Sequence, residues 1–147
     1  VGELIDHIDG NTICEADHLF ATRLWQNNSK VHFDINARED KKRLIYGGHI
    51  ISLVRALSFN GLENAQLIVG INGGTHANPA FAEDTIYCWS EVLEKIDLNV
   101  RNIAALRLRS VGTKEKNHSM KVKSDDGRYL PTTVLDFDYW VLVPREL

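Results

Sequence analysis

Two hydrophobic periods run along this chain, and they separate its second half from its first. Over residues 133–143, Leu135, Phe137, Tyr139, Val141 and Val143 fall on one face and Asp136 and Asp138 on the other. Alternation of this kind predicts a half-buried strand. Residues 103–114 repeat it, with Leu106 and Leu108 opposed to Arg107 and Arg109. Residues 66–72 and 85–96 read as two more strands, and Ser124-Asp125-Asp126-Gly127 as a turn.

The first half has a helical period. Residues 16–25 predict a helix with Leu19, Phe20, Arg23 and Leu24 at helical spacing, and Glu15 and Asp17 near its start. Residues 48–59 predict a second, with Ile50, Ile51, Leu53, Val54, Ala56, Leu57 and Phe59 covering most of its circumference. Such a helix is expected to be buried, and Asn60-Gly61 supplies its stop. Residues 4–14 read as an extended lead-in broken at Asp9-Gly10. Residues 26–30 form a polar loop and 38–43 a charged connection. One buried helix followed by long antiparallel strands is an α+β pattern, and a sheet wrapped around a central helix fits that order.

Composition narrows the class. With 147 residues, 44% hydrophobic and 25% charged, the chain reads as a single globular domain. A net charge of −3 leaves no basic footprint for nucleic acid. No apolar run approaches a membrane span, and the first residues lack the regions of a signal peptide. The chain starts without Met, which fits a trimmed chain or a part of a longer one. Cys14 and Cys88 form neither a disulfide framework nor a metal motif, so a reducing, cytoplasmic setting is expected.

Candidate chemistry concentrates in two places. His32 sits in a polar loop, and Gly47-Gly48 opens the apolar helix. A histidine can move a proton near neutral pH. The first turn of a helix offers free N–H groups to a developing negative charge. Together they suggest an acid/base site acting on a carbonyl compound. Each residue also has a plainer reading. His32 reads alternatively as structural, Gly47 and Gly48 as close packing, and Asn27 as a turn residue. His49 reads as a substrate contact or, with slight preference, a capping or packing residue. His76 lies in a loop or bulge beside a strand, where a substrate contact is the less favoured reading. His7, His18 and His118 read as surface residues. Trp25, Trp89 and Trp140 read as core or interface.

The residues also resemble a known family. MaoC-like enoyl-CoA hydratases carry Gly-Asp, any residue, Asn-Pro, an aliphatic, His, any residue, Asp. Here Gln26-Asn27-Asn28-Ser29-Lys30-Val31-His32-Phe33-Asp34 matches at His32 and Asp34. The family's aliphatic and glycine at the helix opening match Ile45 and Gly48. Pro79 and Asp84-Thr85 resemble its proline and Gly-Asp-Thr turn, with Glu83 in place of the glycine. Longer runs are more specific. Tyr46-Gly47-Gly48-His49-Ile50-Ile51-Ser52, Arg55-Ala56-Leu57-Ser58-Phe59-Asn60-Gly61-Leu62-Glu63-Asn64-Ala65, Trp89-Ser90-Glu91-Val92-Leu93-Glu94-Lys95 and Ala105-Leu106-Arg107-Leu108-Arg109 resemble the C-terminal half of the mesaconyl-CoA hydratase (2-methylmalyl-CoA dehydratase) branch.

The resemblance implies a hotdog fold for residues 1–147, as the second half of a double-hotdog protein. It implies a hydro-lyase that adds water reversibly to an unsaturated acyl-CoA, most simply mesaconyl-CoA. His32 would be the base, Asn27 would hold the water, and the Gly48 N–H would stabilise the thioester oxygen. Asn27 stands where the general pattern has an aspartate; a carboxamide cannot take water's proton, which leaves proton transfer to His32. Gly47, His49, Arg55 and His76 are the candidate substrate contacts. Arg55 or Arg23 would meet a substrate carboxylate, although each also reads as solvated or ion-paired. Lys41, Lys42 and Arg43 would meet CoA phosphates or form a solvated face. No cofactor is implied beyond the coenzyme A of the substrate, and no metal. The implied partner is a second hotdog, as a homodimer or an N-terminal half. Two alternatives stay open: a hotdog acyl-CoA thioesterase, and a non-catalytic acyl-CoA-binding half.

Overall fold

A computed structural model describes residues 1–65, 67–100, 102–116 and 119–145. Gln66, at the start of a predicted strand, and His118 lie outside the described residues. The chain runs β1 (Leu4–Thr12), α1 (Glu15–Leu24), α2 (Gly47–Leu57), β2 (Leu67–His76), β3 (Thr85–Asp97), β4 (Ile103–Thr113) and β5 (Thr133–Pro144). Single 3₁₀ turns at Lys30–His32 and Ile35–Ala37 interrupt the loop between the helices. The five strands form one antiparallel sheet in the order β1-β3-β4-β5-β2. The helix α2 packs against β1, β3, β4 and β5.

The predicted alternation determines which face meets the helix. Leu135, Phe137, Tyr139 and Val141 of β5 join Leu108 of β4 and Ile86, Cys88 and Val92 of β3 around Ile50 and Val54 of α2. On the outer face, Arg107 pairs with Asp138 and Arg109 with Asp136, each through two hydrogen bonds of 2.7–2.9 Å. The helix sits so close that Gly112 must have no side chain: a β-carbon there would lie 2.7 Å from Val54 Cγ2.

A buried polar chain crosses the inner face beside the C-terminal end of α2. Its ends settle every proton. Arg55 can only donate, and does so to the Tyr139 hydroxyl at 3.2 Å. Tyr139 then donates to Ser110 (2.9 Å), Ser110 to Ser90 (2.7 Å) and Ser90 to His7 Nε2 (2.8 Å). His7 Nδ1–H ends the chain on the Asn60 carbonyl at 2.6 Å. His7 is thus a fully buried strut between β1 and the turn after α2, not the surface residue its context suggested.

Several expectations change. The break at Asp9-Gly10 is a bulge inside a continuous strand: the register slips between Asp6 and Gly10, and Ile8 takes φ 66°. In α1 the buried face is His18 and Thr22, while Phe20, Leu24 and Trp25 stand exposed. The inward face is polar: His18 reaches the His32 carbonyl and the Tyr46 amide, and Thr22 donates back to the His18 carbonyl of its own helix. In α2 only Ile50 and Val54 are fully buried; Ile51, Leu53 and Leu57 are half covered. That helix stops at Leu57, and a distorted turn over Phe59–Leu62 follows, with Gly61 at φ 97°. The strand predicted over 66–72 continues to His76, which carries Gly73, Gly74 and His76 into the sheet. It is an edge strand whose Leu67, Val69 and Ile71 are all exposed. Glu83, which stands where the resembled pattern has a glycine, holds the left-handed φ of 73° that a glycine would adopt freely.

Gly112→Ala should destabilise the fold by about 1–3 kcal/mol through overpacking. Adding Val54→Ala should return part of that loss, because the clash is with its Cγ2. Denaturant titration of both single variants and the double variant reads the coupling; strictly additive effects would place the strain elsewhere.

Candidate active site

The loop after α1 is brought to the start of α2 by one imidazole. His18 is fully buried in α1. Its Nε2 lies 2.8 Å from the His32 carbonyl, and its Nδ1 lies 3.2 Å from the Tyr46 amide. A carbonyl only accepts and an amide only donates, so His18 is neutral with the proton on Nε2. Burial also pushes its pKa down from 6.5, against the favourable hydrogen bond to His32. The expectation of a surface residue is corrected: His18 ties residue 32 to residue 46. Arg43 adds a second clasp, reaching Glu15 at 2.6 Å and the Phe33 carbonyl at 3.0 Å.

His32 is oriented in turn. Its Nδ1 lies 2.8 Å from the Leu44 carbonyl, so that nitrogen carries the proton. The other nitrogen, Nε2, has no hydrogen-bond partner among the described residues. The ring meets the edge of Tyr46, centroids 5.9 Å apart.

The start of α2 is shaped by its two glycines. His49 N–H and Ile50 N–H both turn back to the Tyr46 carbonyl. Gly47 N–H and Gly48 N–H have no acceptor among the described residues, as the first turn of a helix requires. A β-carbon on Gly47 would lie 2.6 Å from His76 Nε2, and one on Gly48 would lie 2.7 Å from the Tyr46 hydroxyl. The close-packing reading of both glycines therefore holds, and it leaves their amides open.

These groups line one cleft of about 530 Å³. Asn27, His32, Gly47, Gly48 and His76 are all on its wall. Asn27 Oδ1 accepts the Ser29 N–H at 2.9 Å, closing a local turn, so its Nδ2 is the arm left for the cleft. The structure adds Tyr46, Asn78 and Pro79, which motif reading did not single out as site residues. Tyr46 had one available signal, its place before the Gly-Gly pair. Asn78 fixes the wall by donating to the Leu130 and Thr133 carbonyls at 2.9 and 2.7 Å.

Three candidate contacts fall elsewhere. His49 is not on the cleft wall; its ring lies 6.3 Å from that of His18, toward α1. Helical geometry turns residue 49 about 100° away from residue 48. Arg55 is two turns further along and is occupied by Ser58, Tyr139 and the Ala65 carbonyl. It is a core strut, not a carboxylate receptor. Arg23 lies on the exposed side of α1, outside the cleft. Among the described residues, no group of three or more His, Cys, Asp or Glu side chains could hold a metal ion, and no helix is long and apolar enough to cross a membrane.

His7 and His18 make stability depend on pH. Burial lowers both pKa values from 6.5, so the unfolded chain binds protons that the fold refuses. Stability from these groups is complete above about pH 7 and falls as pH drops through the unfolded value. The Tm should hold from about pH 8 to about pH 7 and then decline toward about pH 5.5, with a shallower slope for His18→Gln. A flat Tm over that range would contradict the neutral assignments.

No protein-family model matches the chain. Over 145 residues, 99% of its length, it is 59% identical to mesaconyl-CoA hydratase of Cereibacter sphaeroides, covering 42% of that protein. It is 54% identical over 150 aligned positions to beta-methylmalyl-CoA dehydratase of Chloroflexus aurantiacus, covering 43% of it. The whole chain superposes on 43% of a MaoC domain protein dehydratase from Chloroflexus aurantiacus J-10-fl, with a TM-score of 0.95 and 53% identity. A Mycobacterium tuberculosis protein with a double hotdog fold matches 99% of this chain and 42% of its own, with a TM-score of 0.71 and 15% identity, which speaks to fold alone. The chain spans less than half the length of the curated relatives it matches. It has the hotdog fold and is related, along nearly its entire length, to part of mesaconyl-CoA hydratase and beta-methylmalyl-CoA dehydratase.

Proposed function

We propose that this chain carries the catalytic site of a hydro-lyase that adds water reversibly to an unsaturated acyl-CoA, with mesaconyl-CoA as substrate. The observation behind this reading is the pairing of a bare His32 Nε2 with the open Gly47 and Gly48 amides in one cleft. The names of the 54–59% identical relatives supply the substrate class.

Water sits between His32 and Asn27. His32 Nε2 takes its proton as the oxygen bonds to the β-carbon. The alkene electrons move toward the thioester, and the oxygen of that group gains charge. The Gly48 N–H, free and backed by the helix dipole, stabilises it. His32 then returns the proton to the α-carbon. Dehydration is the same path reversed. Asn27 positions water and exchanges no proton, since its amide has no basic site. Proton transfer and charge stabilisation suffice for this reaction, so the reading calls on no metal or redox cofactor.

His32→Ala should lower hydration of mesaconyl-CoA by about 100- to 10,000-fold with the Tm little changed. Loss of the enoyl absorbance measures it. A folded variant with parental turnover would remove His32 as the base, and release of free thiol would indicate a thioesterase instead.

The reading includes a second hotdog beside the β2 edge. An edge strand with exposed Leu67, Val69 and Ile71 presents unpaired backbone groups and apolar side chains together. A second copy related by a two-fold axis, or the remainder of a longer protein, would cover it. The chain alone should therefore elute as a dimer in size exclusion coupled to light scattering. A strictly monomeric and active chain would overturn the need for that partner.

A further inference from the structure

His76 and the Gly47-Gly48 pair belong to segments far apart in sequence, yet both line the cleft and the His76 ring sits against Gly47. His76 ends β2, where it pairs with Leu135 of β5. Its ring lies over Gly47 at the start of α2, with Nε2 2.6 Å from where a β-carbon would be. No side-chain hydrogen bond engages the ring among the described residues, although every other described histidine near the site except His49 has one. An ideal β-carbon lies about 2.5 Å from its own amide nitrogen, so Nε2 is within roughly 5 Å of Gly47 N. One ligand oxygen can accept from donors spaced that far apart. Gly47 is thus a glycine for a specific reason: any side chain would push the imidazole off the free amides.

Resting on the hydratase reading above, we propose that His76 donates a second hydrogen bond to the thioester oxygen of the substrate, beside the Gly48 N–H. The Gly48 N–H by itself meets one lone pair of that oxygen as charge gathers on it. A neutral imidazole with one N–H meets the other without adding a fixed charge to the cleft. Desolvation lowers the pKa of His76 from 6.5, which favours that neutral form. His76 does not exchange protons with the substrate carbon in this scheme; His32 does. The assignment also separates two readings of a histidine in a cleft that receives a dicarboxylic acyl group. A carboxylate contact would matter for mesaconyl-CoA and not for crotonyl-CoA, whereas a thioester contact matters equally for both.

His76→Leu, in the chain as it exists, should lower kcat about 100-fold on both mesaconyl-CoA and crotonyl-CoA, with KM nearly unchanged. His76→Gln keeps an N–H donor and should recover most of that loss. Gly47→Ala should resemble His76→Leu and add little to it in the double variant, because both remove the same contact. The carbonyl stretch of bound benzoyl-CoA, which offers no alkene to hydrate, gives a readout apart from turnover. It should fall on binding to the parent and rise toward the free value in His76→Leu. Parental kcat in a folded His76→Leu, or a defect confined to KM for mesaconyl-CoA, would overturn the proposal. An unshifted carbonyl in bound parent would overturn it too. If the parent hydrates no enoyl-CoA but still shifts the carbonyl and loses the shift in His76→Leu, the hydratase reading fails while the thioester contact stands.

Discussion

Everything in this molecule is placed relative to the contact between Val54 and Gly112. Strand β4 offers the helix a bare backbone there, and α2 settles onto it at a distance no side chain would allow. That depth seats Ile50 and Val54 among Ile86, Leu108, Leu135 and Phe137 in an apolar core. Burial of aliphatic and aromatic surface of this kind is the dominant favourable contribution to folding. It also sets the height and direction of the helix axis, and hence where its first two amides point. The far end of the same helix is held by a different kind of interaction. There the one-way hydrogen-bond chain from Arg55 to Asn60 gives every hydroxyl and imidazole proton along its length an acceptor. Such a chain is intolerant of change, because each member's donor role is dictated by its neighbours.

The site is assembled from three separate stretches of chain, and each arrives by a distinct physical cause. The glycine pair comes with α2. His32 comes because His18 holds its carbonyl and the Tyr46 amide at once. Its tautomer is then determined by the Leu44 carbonyl. His76 comes because β2 continues past its apolar stretch and keeps pairing with β5 as far as Leu135. Two imidazoles and a pair of free amides thereby share a cleft although 44 positions separate His32 from His76. The same arrangement explains why Arg55, attractive as a cation in the sequence, takes no part. Two turns of helix carry it to the opposite end of the core.

What the sequence determined by itself was whatever depends on local period and local chemistry. Alternation in 103–114 and 133–143 prescribed both strands and their inner faces to within a residue, because a one-position slip would turn Leu135 and Phe137 outward. The Gly-Gly opening and the spacing to His32 were legible for the same reason: free amides follow from where a helix begins. Tertiary structure alone decided the rest. The apolar residues of α1 could not announce that they would face outward, since burial of His18 and Thr22 depends on partners supplied by residues 32 and 46 and by the helix itself. His7 and His18 looked like surface residues because a histidine's need for burial is invisible until both ring nitrogens find partners from distant backbone or strands. The roles of His49 and Arg55 turned on which way a helix face points, which is settled by how α2 lies on the sheet and not by its order of residues.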